Sequence, residues 1–166
     1  MSDPAASGVR SHARGWVVRR ATGEDVAEIV VGVQELLLEL GATPPPAIAL
    51  EDAARELIDD SDAGVVLIAG IDGEVVGVLA ASWQLAMHVP GRYGLIQDLW
   101  VHAAWRSRAI GADLVTALVE LAHAQGVTFI EVGLPRESFA GIEATTQFYR
   151  DQGFETLGPR MRRVLA

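Results

Sequence analysis

"RSRAIGADLV", residues 106–115, decides how this sequence is read. Alternating cations and small residues give way to a helical pattern. Directly before it run "GLIQDLWV" (94–101), which has the apolar and aromatic character of a strand, and four linking residues, "HAAW". A strand that turns tightly into a helix N-terminus meets anions with unpaired amides and the positive end of the helix dipole. Ser107, Ala109, Gly111 and Ala112 are small enough for an anion to approach the backbone, and Arg106 and Arg108 add guanidinium forks. Read alone, the segment is equally well a solvated basic turn. The rest of the chain has to choose.

The chain has 166 residues, half of them hydrophobic and 21% charged, which is the composition of one folded domain. It has no cysteine, so disulfide and thiolate chemistry are excluded. All thirteen basic residues are arginine, and the formal charge is -9. Such a balance argues against nucleic acid as a partner, because phosphate contacts need a basic footprint. It favours a cationic substrate through the sign of the field, although an acidic surface also serves solubility alone. Neither a signal peptide nor an apolar run of membrane-spanning length is legible, so the expected location is the cytoplasm, with no membrane partner.

Outward from the quoted stretch the elements follow in order. Residues 1–14 read as a flexible tail, 16–22 as a strand and 23–41 as a helix whose apolar stripe runs through Val26, Ile29, Val30, Val33, Leu37 and Leu40. Gly41 and three prolines end it, and a second helix follows at 50–60. Residues 64–71 and 74–87 form a hairpin about Asp72-Gly73, a favoured type I′ pair, and the first arm is apolar enough to be buried on both faces. After the strand at 95–101 and the helix from residue 110 come a strand at 127–134 and a helix ending at Gly153. Two terminal strands, "FETL" and "RMRRVL", close the chain. The expected fold is α/β, a mixed and largely antiparallel sheet with about four helices.

Residues 95–154 together, from "LIQDLWVHAAWRSRAIGADLV" to "EATTQFYRDQGFE", resemble the GNAT superfamily of N-acetyltransferases. The resemblance extends over residues 15–166 as one acetyltransferase-like domain. It implies a sheet splayed between the strands at 95–101 and 127–134, and acetyl-coenzyme A as cosubstrate. Arg106, Ser107, Arg108, Ala109, Ile110, Gly111 and Ala112 match the family's pyrophosphate loop. The pantetheine arm would hydrogen-bond the backbone of Leu99 and Val101, so the cradle becomes the better reading of the opening stretch. Three departures stand out, the first being Ser107 in place of a frequent glycine of that loop. Ala109 occupies the place of a glycine and is expected to be right-handed, since a methyl restricts positive φ. Ile142 replaces an asparagine often found seven residues before the tyrosine.

Tyr149 in "FYRDQGF" matches the family's general acid, and the backbone N–H of Leu99 or its neighbour would meet the oxyanion. The base is less plain, because Leu95 and Gln97 stand where some members carry glutamate. Asp98 is the one ionisable residue of "LIQDLWV", but strand alternation turns it away from Gln97 unless a bulge re-aims it. It is a candidate base or amine-binding residue, beside a water chain to a remote carboxylate or an amine that arrives deprotonated. Asp98 and His102 offer no third ligand, so no metal is expected. Trp83 and Trp100 could wall an acceptor pocket or simply pack in the core.

The expectation is therefore direct acetyl transfer to a primary amine of a small molecule, protein or peptide. The alternative is a catalytically weak acyl-coenzyme-A-binding module. A homodimer stands among the expected assemblies.

Overall fold

The computed structural model describes residues 10–11 and 15–165. In chain order these form β1 (Arg10–Ser11), β2 (Val17–Arg20), α1 (Val26–Glu39), α2 (Ala47–Asp59), β3 (Gly64–Ile71), β4 (Glu74–Leu85), β5 (Arg92–Val101), α3 (Ile110–Ala124), β6 (Ile130–Val132) and α4 (Ile142–Asp151). Short 3₁₀ turns occupy Gly23–Asp25 and Ala103–Trp105. The strands lie side by side in sequence order, β1 to β5 antiparallel and β6 parallel to β5, as the mixed, largely antiparallel reading requires. Among the described residues no helix is long and apolar enough to cross a membrane.

Two apolar layers follow from the period-2 alternation of the strands. Val66 and Ile68 of β3 face α1 and α2, packing with Val26, Ile29, Val30 and Val33. Val65, Leu67 and Ala69 face α3, packing with Ile110, Leu114 and Leu118. The first hairpin arm is thus buried on both sides. Asp72 (φ 50°) and Gly73 (φ 88°) both sit at positive φ, the requirement of a type I′ turn.

The start of α1 is locked by charge. Arg19 donates from both terminal nitrogens to Asp25 at 2.8 Å, and the Thr22 amide and hydroxyl donate to the same carboxylate. This holds the Asp25 carboxyl below its usual range, against the opposing effect of burial.

Arg10–Ser11 pairs with Val17–Val18; the rest of 1–14, read as a tail, lies outside the described residues. Two expectations about the strands need correction. The strand expected over 127–134 is reduced to Ile130–Val132. Residues 154–165 form no strand at all. Gly158-Pro159 interrupts that segment, and proline has no N–H to give a ladder. Leu157, Met161, Val164 and Leu165 are all exposed, so no buried face rewards pairing there.

Candidate active site

The site begins at an irregularity in β5. Ala80 pairs with Asp98 but the next residue, Ala81, pairs with Ile96, which leaves Gln97 as the extra residue of a β-bulge. The consequence is visible in the packing. Ile96 joins the α3 layer with Leu99, although one is even and the other odd, while Trp100 joins the α1–α2 layer. Gln97 is exposed, and its side-chain amide donates to Ser82 Oγ at 2.8 Å, which also accepts from Gln84 at 2.7 Å. The bulge that could re-aim Asp98 is therefore present.

Asp98 lines a cavity of about 60 Å³ between the sheet, α1 and α2. Val30 and Val33 of α1 and Leu50, Ala54 and Leu57 of α2 form its walls, and Val66 and Ala80 form the floor beside Asp98. Burial pushes the Asp98 carboxyl above the ordinary carboxylate range, with no ion pair among the described residues to oppose it. An unpaired carboxylate held in an apolar cavity is unfavourable for folding and marks a functional candidate. Trp100 lies two residues further on the same face, 4% exposed, with its Nε1 unpartnered among the described residues. Gly32 makes room for it: a Cβ there would fall 2.7 Å from Trp100 Cε3. Trp83 donates to Ser61 O and packs in the opposite layer. Neither tryptophan lines the cavity, so both are core residues.

Tyr149 sits on the other side of the splay. Its ring is buried edge-on between Phe148 and Phe154, with centroids at 5.1 and 5.4 Å. Burial first, and the charge of Asp98 second, push its hydroxyl up to about 12. That second cause is informative, because it joins residues 51 positions apart on β5 and α4 into one electrostatic neighbourhood.

Between them the sheet opens. β6 pairs with β5 only at Gly94, Leu95 and Ile96, so the two strands part at the bulge. His102 N–H donates to Val76 O on β4 at 2.9 Å. Alternation along an antiparallel ladder then turns the backbone groups of Leu99 and Val101 away from β4, toward the opened side. This edge can hold an extended chain carrying amides, the chemistry of a pantetheine arm.

At the end of that edge lies the loop. Ser107 (φ 60°) and Ala109 (φ 73°) are both left-handed, and Ala109 caps α3 without a side-chain hydrogen bond. The expectation of a right-handed Ala109 is thus wrong. The turn from the 3₁₀ segment into α3 needs positive φ at this point, and a methyl raises the cost without forbidding it. The first-turn amides of Ile110, Gly111 and Ala112 have no helical carbonyl before them and remain available to an anion. Gly111 serves packing: a Cβ on it would meet Phe148 Cζ at 3.3 Å and Val101 Cγ2 at 3.8 Å.

The two arginines do different work. Arg106 donates through Nε to Val101 O at 2.9 Å and grips Glu39 of α1 through both terminal nitrogens, at 2.6 and 2.7 Å. Its fork is occupied by a carboxylate, not left open for an anion. Arg108 lies over the Trp105 ring, 4.9 Å from the centroid, and is exposed. Sequence reading missed Glu39 and Ser82. Glu39 lies 67 residues from its partner, and no local pattern marks such a pair.

The sequence model of the Acetyltransferase (GNAT) family matches residues 34–154. No curated protein matches the chain in sequence. Among solved structures, the integron cassette protein HFX_CASS3 from the mobile metagenome of Cole Harbour Salt Marsh is 26% identical, with a TM-score of 0.73 over 90% of this chain and 89% of that one. The aminoglycoside acetyltransferase HMB0005, from an uncultured soil metagenomic sample, is 23% identical, with a TM-score of 0.73 over 92% and 99%. AAC(6')-Iy, solved with the bisubstrate analog CoA-S-monomethyl-acetylneamine, is 16% identical, with a TM-score of 0.75 over 94% and 99%.

Proposed function

The chain belongs to the Acetyltransferase (GNAT) family, and on that premise we propose that it moves an acetyl group from acetyl-coenzyme A directly onto a primary amine, without a covalent enzyme intermediate. The observation that carries this reading is the backbone edge of β5 that opens where β6 leaves it after Ile96 and leads to the free first-turn amides of α3, with Asp98 near enough to Tyr149 for its charge to be felt there. The solved neighbour that holds a coenzyme A conjugate supports the choice of cosubstrate.

When bound, acetyl-coenzyme A supplies an activated acyl carbon and a thiolate leaving group. This chain's residues do the rest. The amides of Ile110, Gly111 and Ala112, with Ser107, Ala109 and the exposed Arg108 about them, hold the diphosphate, while Arg106 fixes the loop through Glu39. The Leu99 carbonyl and the Val101 N–H would align the pantetheine arm, and the Leu99 N–H would meet the developing oxyanion, while Arg106 keeps the Val101 carbonyl. Asp98, its proton affinity raised by burial, takes the proton that the ammonium must lose before attack. Tyr149 stays protonated until the sulfur departs and gives its proton there; the second proton, which nitrogen loses as the amide forms, restores the Tyr149 hydroxyl.

The two transfers are coupled in a useful order. The negative charge of Asp98 is one reason Tyr149 holds its proton so tightly. Once Asp98 has accepted the amine's proton that charge is gone, and Tyr149 becomes the better acid when the thiolate needs one. The binding-module alternative leaned on an altered loop and a missing strand glutamate. Asp98 in the cavity weighs against the second of these.

The test is amine-dependent release of free thiol from acetyl-coenzyme A, across alkylamines, polyamines, aminoglycosides, amino acids and peptides. Turnover with at least one class is expected. Coenzyme A binding with no turnover across the whole panel would return the protein to a binding module.

A further inference from the structure

The chemistry of the cavity around Asp98 narrows the acceptor. Apart from Asp98, every described residue lining it is apolar, with α2 contributing Leu50, Ala53, Ala54 and Leu57. Those four recur at i, i+3, i+4 and i+7, one face of a helix, so Glu51, Asp52, Arg55 and Glu56 are turned elsewhere. Ala53 is exposed and Ala54 buried, which sets the mouth of the cavity at α2 and its depth against the sheet. A leucine at either alanine would fill the space. The two small side chains therefore keep a compartment open that helix packing alone would close.

We infer that the acceptor is a primary monoamine bearing a compact aliphatic group, seated against α1 and α2 with its amine at Asp98. This rests on the acetyl-transfer reading above. A cavity of about 60 Å³ has room for roughly four to six non-hydrogen atoms, the size of an isobutyl or isoamyl group. One carboxylate matches one ammonium. A polyamine or an aminoglycoside brings further ammonium groups, and the apolar walls offer them no partner to replace water. Although aminoglycoside acetyltransferases are among the structures of similar fold, this cavity has the wrong lining for a polycation.

The experiment compares methylamine, propylamine, isobutylamine, isoamylamine, spermidine and kanamycin in the thiol-release assay with the whole chain. Each added methylene should raise kcat/KM about fourfold until the cavity is full, from about 0.8 kcal/mol per buried methylene. Ala54→Leu should flatten that ladder, while circular dichroism and coenzyme A affinity report an intact fold. If Ala54→Leu does not fold, Leu57→Ala serves instead and should move the optimum to a longer amine. Calorimetry of isoamylamine with the coenzyme A complex reads the pocket without chemistry. Isoamylamine that binds there, and loses binding in Ala54→Leu, with no amine of the panel acetylated, would uphold the pocket and sink the transferase reading. Spermidine or kanamycin turned over in preference to every alkylamine overturns the inference and leaves the transferase standing. A flat ladder in the unaltered protein overturns it as well.

Discussion

Arg106 and Glu39 form a two-pronged ion pair, at 2.6 and 2.7 Å, that ties the loop before α3 to the last turn of α1. α1 walls the cavity at Asp98 and the loop carries the free first-turn amides of α3, so one pair joins the two halves of the proposed site. Glu39 also sits at the negative end of a helix dipole, where a carboxylate is unfavourable and a guanidinium beside it offsets the penalty.

The pair predicts a pattern of shared loss. Both side chains are more than 40% exposed, so the coupling should be modest, about 0.2–1 kcal/mol in a double-mutant cycle. Arg106→Ala and Glu39→Ala should weaken acetyl-coenzyme A binding by similar amounts, and the double variant by little more than either. Calorimetry in which Arg106→Ala alone is severe would mean that the guanidinium leaves Glu39 and meets the diphosphate itself.

Ala109 and Ser107 predict easy stabilisation. A non-glycine residue in the left-handed region costs about 1–2 kcal/mol, and glycine removes most of that penalty despite its greater unfolded-state freedom. Ala109→Gly and Ser107→Gly should each raise the denaturation midpoint, by up to about 1 kcal/mol in free energy. Cofactor affinity should hold or tighten slightly. A lower midpoint for Ala109→Gly would show that its methyl makes packing contacts worth more than the backbone strain.

What the sequence could reveal was set by local pattern. The period of Val26, Ile29, Val30 and Val33 belongs to a buried helix face, and Asp72-Gly73 to a tight hairpin, so both are legible within a dozen residues. The bulge is a different case. "LIQDLWV" reads as a plain strand, and its one trace is that Ile96 and Leu99 are both apolar at positions of opposite parity. The left-handed Ala109 is not legible in the sequence, because the cost of that conformation to an alanine is small beside the demands of the turn. Leu157, Met161, Val164 and Leu165 look like strand residues by composition, but a strand needs a face to bury, and none is offered there. The Arg106–Glu39 and Asp98–Tyr149 relationships are tertiary, and no spacing rule reaches them.

Asp98 predicts a trade of stability for activity. Its folded-state pKa is raised, so between the unfolded value of about 3.9 and the folded value the native state binds more protons, and stability falls as pH rises through that window. Asp98→Asn removes the buried charge. It should raise the melting temperature at pH 7, and the gain should vanish below about pH 3.9, where both states are protonated. The same variant should lose about 10²- to 10⁴-fold in kcat/KM if Asp98 is the base. A melting temperature that falls at pH 7 would mean the carboxylate has a stabilising partner.

Tyr149 gives the sharpest separation of roles. Tyr149→Phe keeps the ring between Phe148 and Phe154 and deletes one oxygen, so the fold should be unchanged at neutral pH. The hydroxyl is protonated in both folded and unfolded states at pH 7 and contributes nothing through linkage there. Between its unfolded value near 10 and its folded value of about 12 the native state retains a proton that the unfolded chain has lost. Stability should therefore fall more steeply above pH 10 in the unaltered protein than in Tyr149→Phe. Activity is expected to behave differently. If the hydroxyl protonates the departing sulfur, kcat drops about 10²- to 10⁴-fold, while KM for acetyl-coenzyme A moves little because the lost contact belongs to the transition state. Coupling through Asp98 adds a further signature: Tyr149→Phe in an Asp98→Asn background should cost less than in the unaltered protein, since the two act in one proton sequence. Full kcat in Tyr149→Phe would leave protonation of the sulfur to solvent and make Tyr149 a packing residue of α4.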